Sequence, residues 1–184
     1  MARALVILAQ GAEEMEATIT VDVLRRGGVE VVLAGLDGDG PVVCSRGVRI
    51  LPDVALSTTA GPWDVIILPG GLEGARRLSE SPAVGDLLRA QEAAGRAAAA
   101  ICAGPTALVK HNVYSGRKLT SFPGVQDVVG AHGELVQDPV VEDRNLVTSQ
   151  GPGTTFAFAL ALVRRLAGEE TAENVRKGML LPPA

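Results

Sequence analysis

The chain has 184 residues, 47% of them hydrophobic and 21% charged, with 17 basic against 21 acidic side chains for a net charge of −4. This is the composition of one ordinary globular domain over residues 1–184; it excludes whole-chain disorder, and without a lysine- or arginine-rich stripe there is no electrostatic driver for stable nucleic-acid binding. Aromatics are 3%, too few for base-stacking platforms, and the two cysteines, Cys44 and Cys102, lack the spacing of a disulfide framework or a structural zinc site.

In chain order, residues 4–9 are a continuous aliphatic run that predicts a buried strand. The run is too short for a signal-peptide core and gives way at once to Glu13, Glu14 and Glu16, so a cytoplasmic protein is expected. Met15, Ile19, Val23 and Leu24 then recur on one helical face. A second strand is predicted over 29–34. Residues 42–56 differ: short apolar pieces separated by polar turns predict a small antiparallel excursion at one sheet edge. A third strand follows at 65–68. Val84, Leu87, Leu88 and Gln91 repeat the helical pattern more weakly, and 97–101 predicts an alanine-rich fourth strand. The longest nearly apolar stretch, 97–109, is broken by Gly104 and Pro105 and falls short of the roughly 18 residues of a membrane span. Residues 130–149 resemble the earlier excursion. Finally, 154–166 predicts a strongly apolar helix, opened by Pro152 and Gly153 and closed near Gly168. Strands alternating with helices imply crossovers and a parallel sheet.

Ligand sites in such sheets gather at the strand carboxyl ends. Three of the predicted strands run there into unusual sequences: Gly11 to Glu16 (GAEEME), Pro69 to Gly71 (PGG) and Cys102 to Leu108 (CAGPTAL). Cys102 between a strand and Gly104-Pro105-Thr106 has the layout of a nucleophile elbow, whose turn exposes the thiol to helix N–H groups and lowers its pKa; the plainer reading is a small core residue. Glu16 reads either as a solvated partner of the helix dipole, as Glu13 and Glu14 do, or as a proton carrier beside Cys102. Gly70-Gly71 marks either a tight turn or, with the amide of Ala103, an oxyanion hole. Gly151-Pro152-Gly153 is a helix start or a pocket wall, the helix start being favoured. His111 follows the Cys102 helix and His132 lies in a Gly-rich loop; neither is placed for a dyad or a metal site. No nucleotide-cofactor motif is present.

Together, ALVILAQGAEEMEA (4–17), VVLAGLDG (31–38), VVCSRGV (42–48), IILPGG (66–71), AAICAGPTAL (99–108) and TSQGPGTTFAFAL (148–160) resemble the DJ-1 family, the Parkinson disease protein 7 homologues of the DJ-1/PfpI superfamily. The resemblance implies a flavodoxin-like three-layer α/β sandwich with a mostly parallel central sheet, assembled as a homodimer. Met15, Ile19 and the edge near Cys44 are candidates for its interface. It also implies a reactive Cys102 hydrogen-bonded to a protonated Glu16, oxyanion donors at Gly71 and Ala103, and a pocket lined by Gly70 and Pro152. No metal or cofactor is implied. The family is associated with glyoxalase and protein or nucleotide deglycase activity on small reactive dicarbonyls or glycated substrates, and with oxidative-stress sensing through a cysteine sulfinate and chaperone-like contacts. Nuclear and mitochondrial residence are further family associations.

This chain departs from its relatives at several positions. Phe122 stands where many carry histidine before the proline, here Pro123, so a proton-transfer role for that histidine fails and the pocket is more apolar. Ala103 follows the nucleophile where the related peptidases have histidine, which argues against proteolysis. Gln150 replaces the arginine of S-R-G-P-G, removing an anion contact, and Leu51 replaces a second cysteine of vertebrate members.

Overall fold

The computed structural model describes residues 1–183. The aliphatic runs form strands because each buries side chains on both faces at once. In chain order the elements are β1 (Arg3–Leu8), α1 (Glu14–Arg26), β2 (Glu30–Gly35), β3 (Val42–Val43), β4 (Arg49–Ile50), β5 (Val54–Ala55), β6 (Val65–Leu68), α2 (Leu72–Glu80), α3 (Pro82–Ala93) and β7 (Ala97–Ile101). They continue with α4 (Pro105–His111), β8 (Lys118–Leu119), α5 (Gln126–Gly130), β9 (Glu134–Leu135), β10 (Val140–Asp143), β11 (Leu146–Ser149), α6 (Thr155–Ala167) and α7 (Glu169–Gly178). Two predicted strands have their predicted bounds, and β1 and β2 are displaced by one residue.

Seven strands make the main sheet in the order β10-β11-β7-β6-β1-β2-β5, parallel at every pairing except β10 with β11. Along β1, alternate side chains enter opposite cores. Ala4, Val6 and Leu8 meet Val23 and Leu24 of α1 together with Phe158 and Leu162 of α6. Leu5 and Ile7 belong to the other core, with Leu78 of α2, Val84 and Leu88 of α3 and Leu108 of α4. The result is the predicted three-layer sandwich. Burial on both faces also accounts for the alanines of β7. Ala98 and Ala100 serve one core and Ala99 the other, and their small side chains allow close packing in the middle of the sheet.

The order β2-β1-β6-β7-β11 is the doubly wound arrangement, in which the chain grows one way from β1 and then reverses to β6. The ligand crevice of such a sheet opens beyond the carboxyl ends of β1 and β6. Parallel register levels the neighbouring ends with them, Leu68 opposite Ala100 and Ile101 opposite Ser149. The segments after β1, β6, β7 and β11 therefore meet at one end of the sheet.

Both irregular segments are richer than simple excursions. β3 and β4 form the antiparallel pair expected within 42–56, but β5 then turns back to extend the main sheet in parallel beside β2. The β3 edge docks over the end of β1, with the Gly11 N–H donating to the Val43 carbonyl at 2.8 Å. In 130–149, β10 and β11 are antiparallel, whereas β9 pairs in parallel with β8. α6 opens through a 3-10 turn at Pro152–Thr154 and stops before Gly168, whose φ of +92° favours glycine. Among the described residues no helix is long and apolar enough to cross a membrane.

Candidate active site

β7 ends at Ile101, and the next residue, Cys102, has φ of +62°, a left-handed conformation that costs a non-glycine residue free energy and persists only where the surroundings hold it. Neighbouring backbone supplies that hold. The Cys102 N–H donates to the Ser149 carbonyl at 2.9 Å, its carbonyl accepts from the Phe122 N–H at 2.8 Å, and the Gly104 N–H closes the turn on the Ile101 carbonyl at 2.8 Å. Pro105 then opens α4, which gives the strand, sharp turn and helix that CAGPTAL predicts. One expectation is corrected: the elbow does not expose the thiol, because Cys102 is only 8% accessible.

The glycines after β6 exist for close approach. A side chain on Gly70 would bring its Cβ to 2.6 Å from Cys102 Cβ, 2.7 Å from Glu16 Oε2 and 2.9 Å from the Ala103 nitrogen. Gly71 has φ of +80°, and its N–H and that of Ala103 donate toward the sulfur, the placement expected of oxyanion donors. Gly70 also holds the carboxyl: its N–H donates to Glu16 Oε2 at 2.7 Å.

Glu16 lies in the first turn of α1, where Glu13 caps the helix by accepting from the Glu16 N–H at 2.9 Å. Its carboxyl is fully buried against Cys102. Oε2 has the Gly70 donor, while Oε1 has no partner among the described residues. Burial dominates, and the Glu16 pKa is pushed up from 4.5 to about 7 despite the Gly70 hydrogen bond.

The thiol runs opposite to the sequence expectation. Burial first, and then the charge of an ionised Glu16, push Cys102 up to about 12, while the amides of Gly71 and Ala103 pull the other way. The helix-end argument fails because the sulfur is enclosed and faces a carboxyl. The two titrations are tied together: protonating Glu16 removes the repulsion and turns the carboxyl into a donor toward sulfur. Cys44, also buried, is pushed up to about 11 by burial and by the charges of Glu14 and Glu13.

Glu14 is the residue that sequence reasoning misread. It is 7% accessible rather than solvated, and accepts from Ser45 Oγ at 2.9 Å and the Arg46 N–H at 2.8 Å, pinning the turn between β3 and β4 to α1. These partners lie more than thirty residues away, so no local signal announces them. His111 and His132 bond the carbonyls of Leu78 and Val113 and take no part in the dyad, as expected. Phe122, 40% accessible, lays its ring edge over Gly124, where a Cβ would sit 3.0 Å from it, and reaches toward Gly151, where a Cβ would sit 3.9 Å away. Pro152, partly buried, begins the turn into α6, the helix-start role. No cluster of three or more His, Cys, Asp or Glu side chains that could hold a metal occurs among the described residues.

Comparison with known proteins gives this site a lineage. The model of the DJ-1/PfpI family matches residues 2–165. Protein dj-1beta of Drosophila melanogaster is 53% identical over 180 residues, covering 97% of this chain and 96% of its own length. The protein named glutathione-independent glyoxalase DJR-1.2 of Caenorhabditis elegans is 42% identical over 175 residues, covering 94% and 92% respectively. The crystal structure of Drosophila melanogaster DJ-1beta superposes with a TM-score of 0.97 at 52% identity, covering 99% of each chain. With the elbow, the buried carboxyl and a family match that spans most of its length, the chain belongs to the DJ-1/PfpI family.

Proposed function

We propose that the protein is a cofactor-free glyoxalase acting on methylglyoxal, with Cys102 as nucleophile and Glu16 as proton carrier. The observation that carries this reading is the buried Glu16 carboxyl facing Cys102, with a pKa raised to about 7, which suits it to give and take a proton near neutral pH. The related glyoxalase-named nematode protein supports it. In the first step the sulfur of Cys102 adds to the aldehyde carbon, forming a C–S bond, and the carbonyl electron pair becomes an oxyanion held by the Gly71 and Ala103 amides. The thiol proton passes to Glu16 as the C–S bond forms and from there to the former ketone oxygen; the carboxylate so regenerated removes the proton from the aldehyde carbon and returns one to the adjacent carbon. The aldehyde carbon is thereby oxidised to a thioester and the ketone reduced to an alcohol within one molecule, so no external electron acceptor is needed. Water cleaves the thioester, releasing lactate and restoring the thiol. Early glycation adducts enter by the same route once the carbinolamine expels its amine and frees the aldehyde, which is the deglycase form of the reading.

A second reading, an oxidation sensor with chaperone-like contacts, is favoured by the same two amides and the same carboxyl. These three donors suit the oxygens of a Cys102 sulfinate. Lactate formation from methylglyoxal by reduced protein, compared with Cys102→Ser and Glu16→Gln, tests the first reading; aldehyde consumption that is only stoichiometric would leave the second. We further propose a cytoplasmic homodimer that pairs through α1, where Met15 is exposed. A monomer in sedimentation at working concentration would contradict the dimer.

A further inference from the structure

The strands that surround the elbow do not finish alike. β1, β6 and β7 close on Leu8, Leu68 and Ile101, as fits a sheet buried on both faces, whereas β11 closes on two buried hydroxyls, Thr148 and Ser149. Adjacent strand residues point to opposite faces, so the two hydroxyls leave the sheet on opposite sides. Thr148 Oγ1 accepts from the Thr120 N–H at 2.9 Å. Ser149 Oγ donates to the Pro139 carbonyl at 2.7 Å and stands 2.6 Å from Thr154 Oγ1, in the turn that opens α6. Each hydroxyl leads to one of the two backbone bonds that hold Cys102 at φ of +62°. The Ser149 carbonyl accepts from the Cys102 N–H, and the Phe122 N–H donates to the Cys102 carbonyl. Phe122 ends the segment Thr120–Phe122, which lies outside the seven-stranded sheet, so the buried Thr120 N–H has no strand partner and the Thr148 hydroxyl takes that place. Valine would fill the same space as Thr148; what the hydroxyl adds is the acceptor.

We propose that Thr148 and Ser149 are the positioning residues of the elbow. Thr148 fixes the Phe122 amide through Thr120, and Ser149 fixes the strand end whose carbonyl holds the Cys102 amide. Together they keep the left-handed Cys102 aimed at Glu16 and the amides of Gly71 and Ala103. The inference rests on the glyoxalase reading for its effect on turnover only. A strained residue persists while its surroundings over-determine it, so loosening either side lets Cys102 relax and carries the sulfur away from its partners. Misplacement of a reacting group by about 1 Å costs on the order of 100-fold in rate.

The test is amide hydrogen exchange read by NMR at Cys102 and Phe122 in Thr148→Val and Ser149→Ala, with Gln91→Leu for comparison. Gln91 braces the other end of β7, its Nε2 donating to the carbonyls of Trp63 and Ala97 at 2.9 Å each, so its loss destabilises the fold away from the elbow. Thr148→Val is expected to speed exchange about tenfold more at Phe122 than at Cys102, Ser149→Ala to do the reverse, and Thr148→Ser to restore the Phe122 amide. Lactate formation should fall about 10- to 100-fold in Thr148→Val and Ser149→Ala with KM within about twofold of wild type, and stay near wild type in Gln91→Leu. Exchange that rises equally at both amides, or in the same pattern in Gln91→Leu, overturns the inference and leaves the glyoxalase reading intact. If wild-type protein forms no lactate, the glyoxalase reading falls, and the exchange pattern alone decides the positioning role. Should Thr148→Val not fold, Thr148→Ala answers the same question.

Discussion

Glu14 and Glu16 are two residues apart at the start of one helix, both carboxyls are buried, and they titrate in opposite directions. For Glu14, burial raises the pKa, but its hydrogen bonds from its own backbone, Ser45, Arg46 and Val48 together outweigh burial and hold it below the ordinary value. Glu16 has one backbone donor, and burial wins. The pair teaches that donor supply, rather than burial as such, decides whether a buried carboxyl becomes a structural anion or a proton carrier. The turn of the helix sets which is which: Glu14 points to the β3–β4 turn, Glu16 to the elbow.

Several substitutions sharpen or break that contrast. Glu16→Gln keeps the shape and removes the proton, and should lower lactate formation by about 10³-fold with the fold intact, checked by circular dichroism beside the assay. Gly70→Ala drives a methyl group into Cys102, Glu16 and the Ala103 backbone together. It should reduce turnover about 100-fold and destabilise by roughly 2 kcal/mol in urea melts. The third test is of pH. Glu16 binds its proton more tightly folded than unfolded, so its contribution to stability is full below 4.5 and is lost as pH rises through about 7. The gap between those values corresponds to roughly 3 kcal/mol, and it counts protons, so it holds whichever atom of the dyad carries the charge. Glu16→Gln should therefore flatten the stability profile over that window and exceed wild type at pH 8. Glu14→Gln is the smallest and opposite case. Its contribution is present above the ordinary carboxyl value and lost as pH falls, so the variant should be destabilised by about 1–2 kcal/mol at neutral pH, with turnover changing far less than in Glu16→Gln.

The sheet was legible because its strands are buried on both faces: 4–9, 65–68 and 97–101 are uninterrupted aliphatic or alanine runs. The convergence of Gly11–Glu16, Pro69–Gly71 and Cys102–Leu108 followed from parallel topology alone, since the carboxyl ends of parallel strands lie together. What stayed hidden depends on long-range partners. Glu14 looks like any first-turn acid until the turn at Ser45 and Arg46 closes over it, and Cys102 is packed against Gly70 and Glu16, which arrive from two other segments. The β5 edge strand, only two residues long, is defined by its pairing with Ala34 and Gly35 rather than by its own sequence.

The most direct test is a far-ultraviolet titration of the Cys102 thiolate in a Cys44→Ser background, with Glu16→Gln beside it. The account predicts that the Glu16 carboxyl ionises near pH 7 while thiolate absorbance stays absent there and rises only at strongly alkaline pH, and that Glu16→Gln, which removes the neighbouring charge, brings the thiolate in at lower pH. Thiolate absorbance already rising around neutrality in the wild-type background, or a thiolate midpoint unchanged by Glu16→Gln, would contradict it.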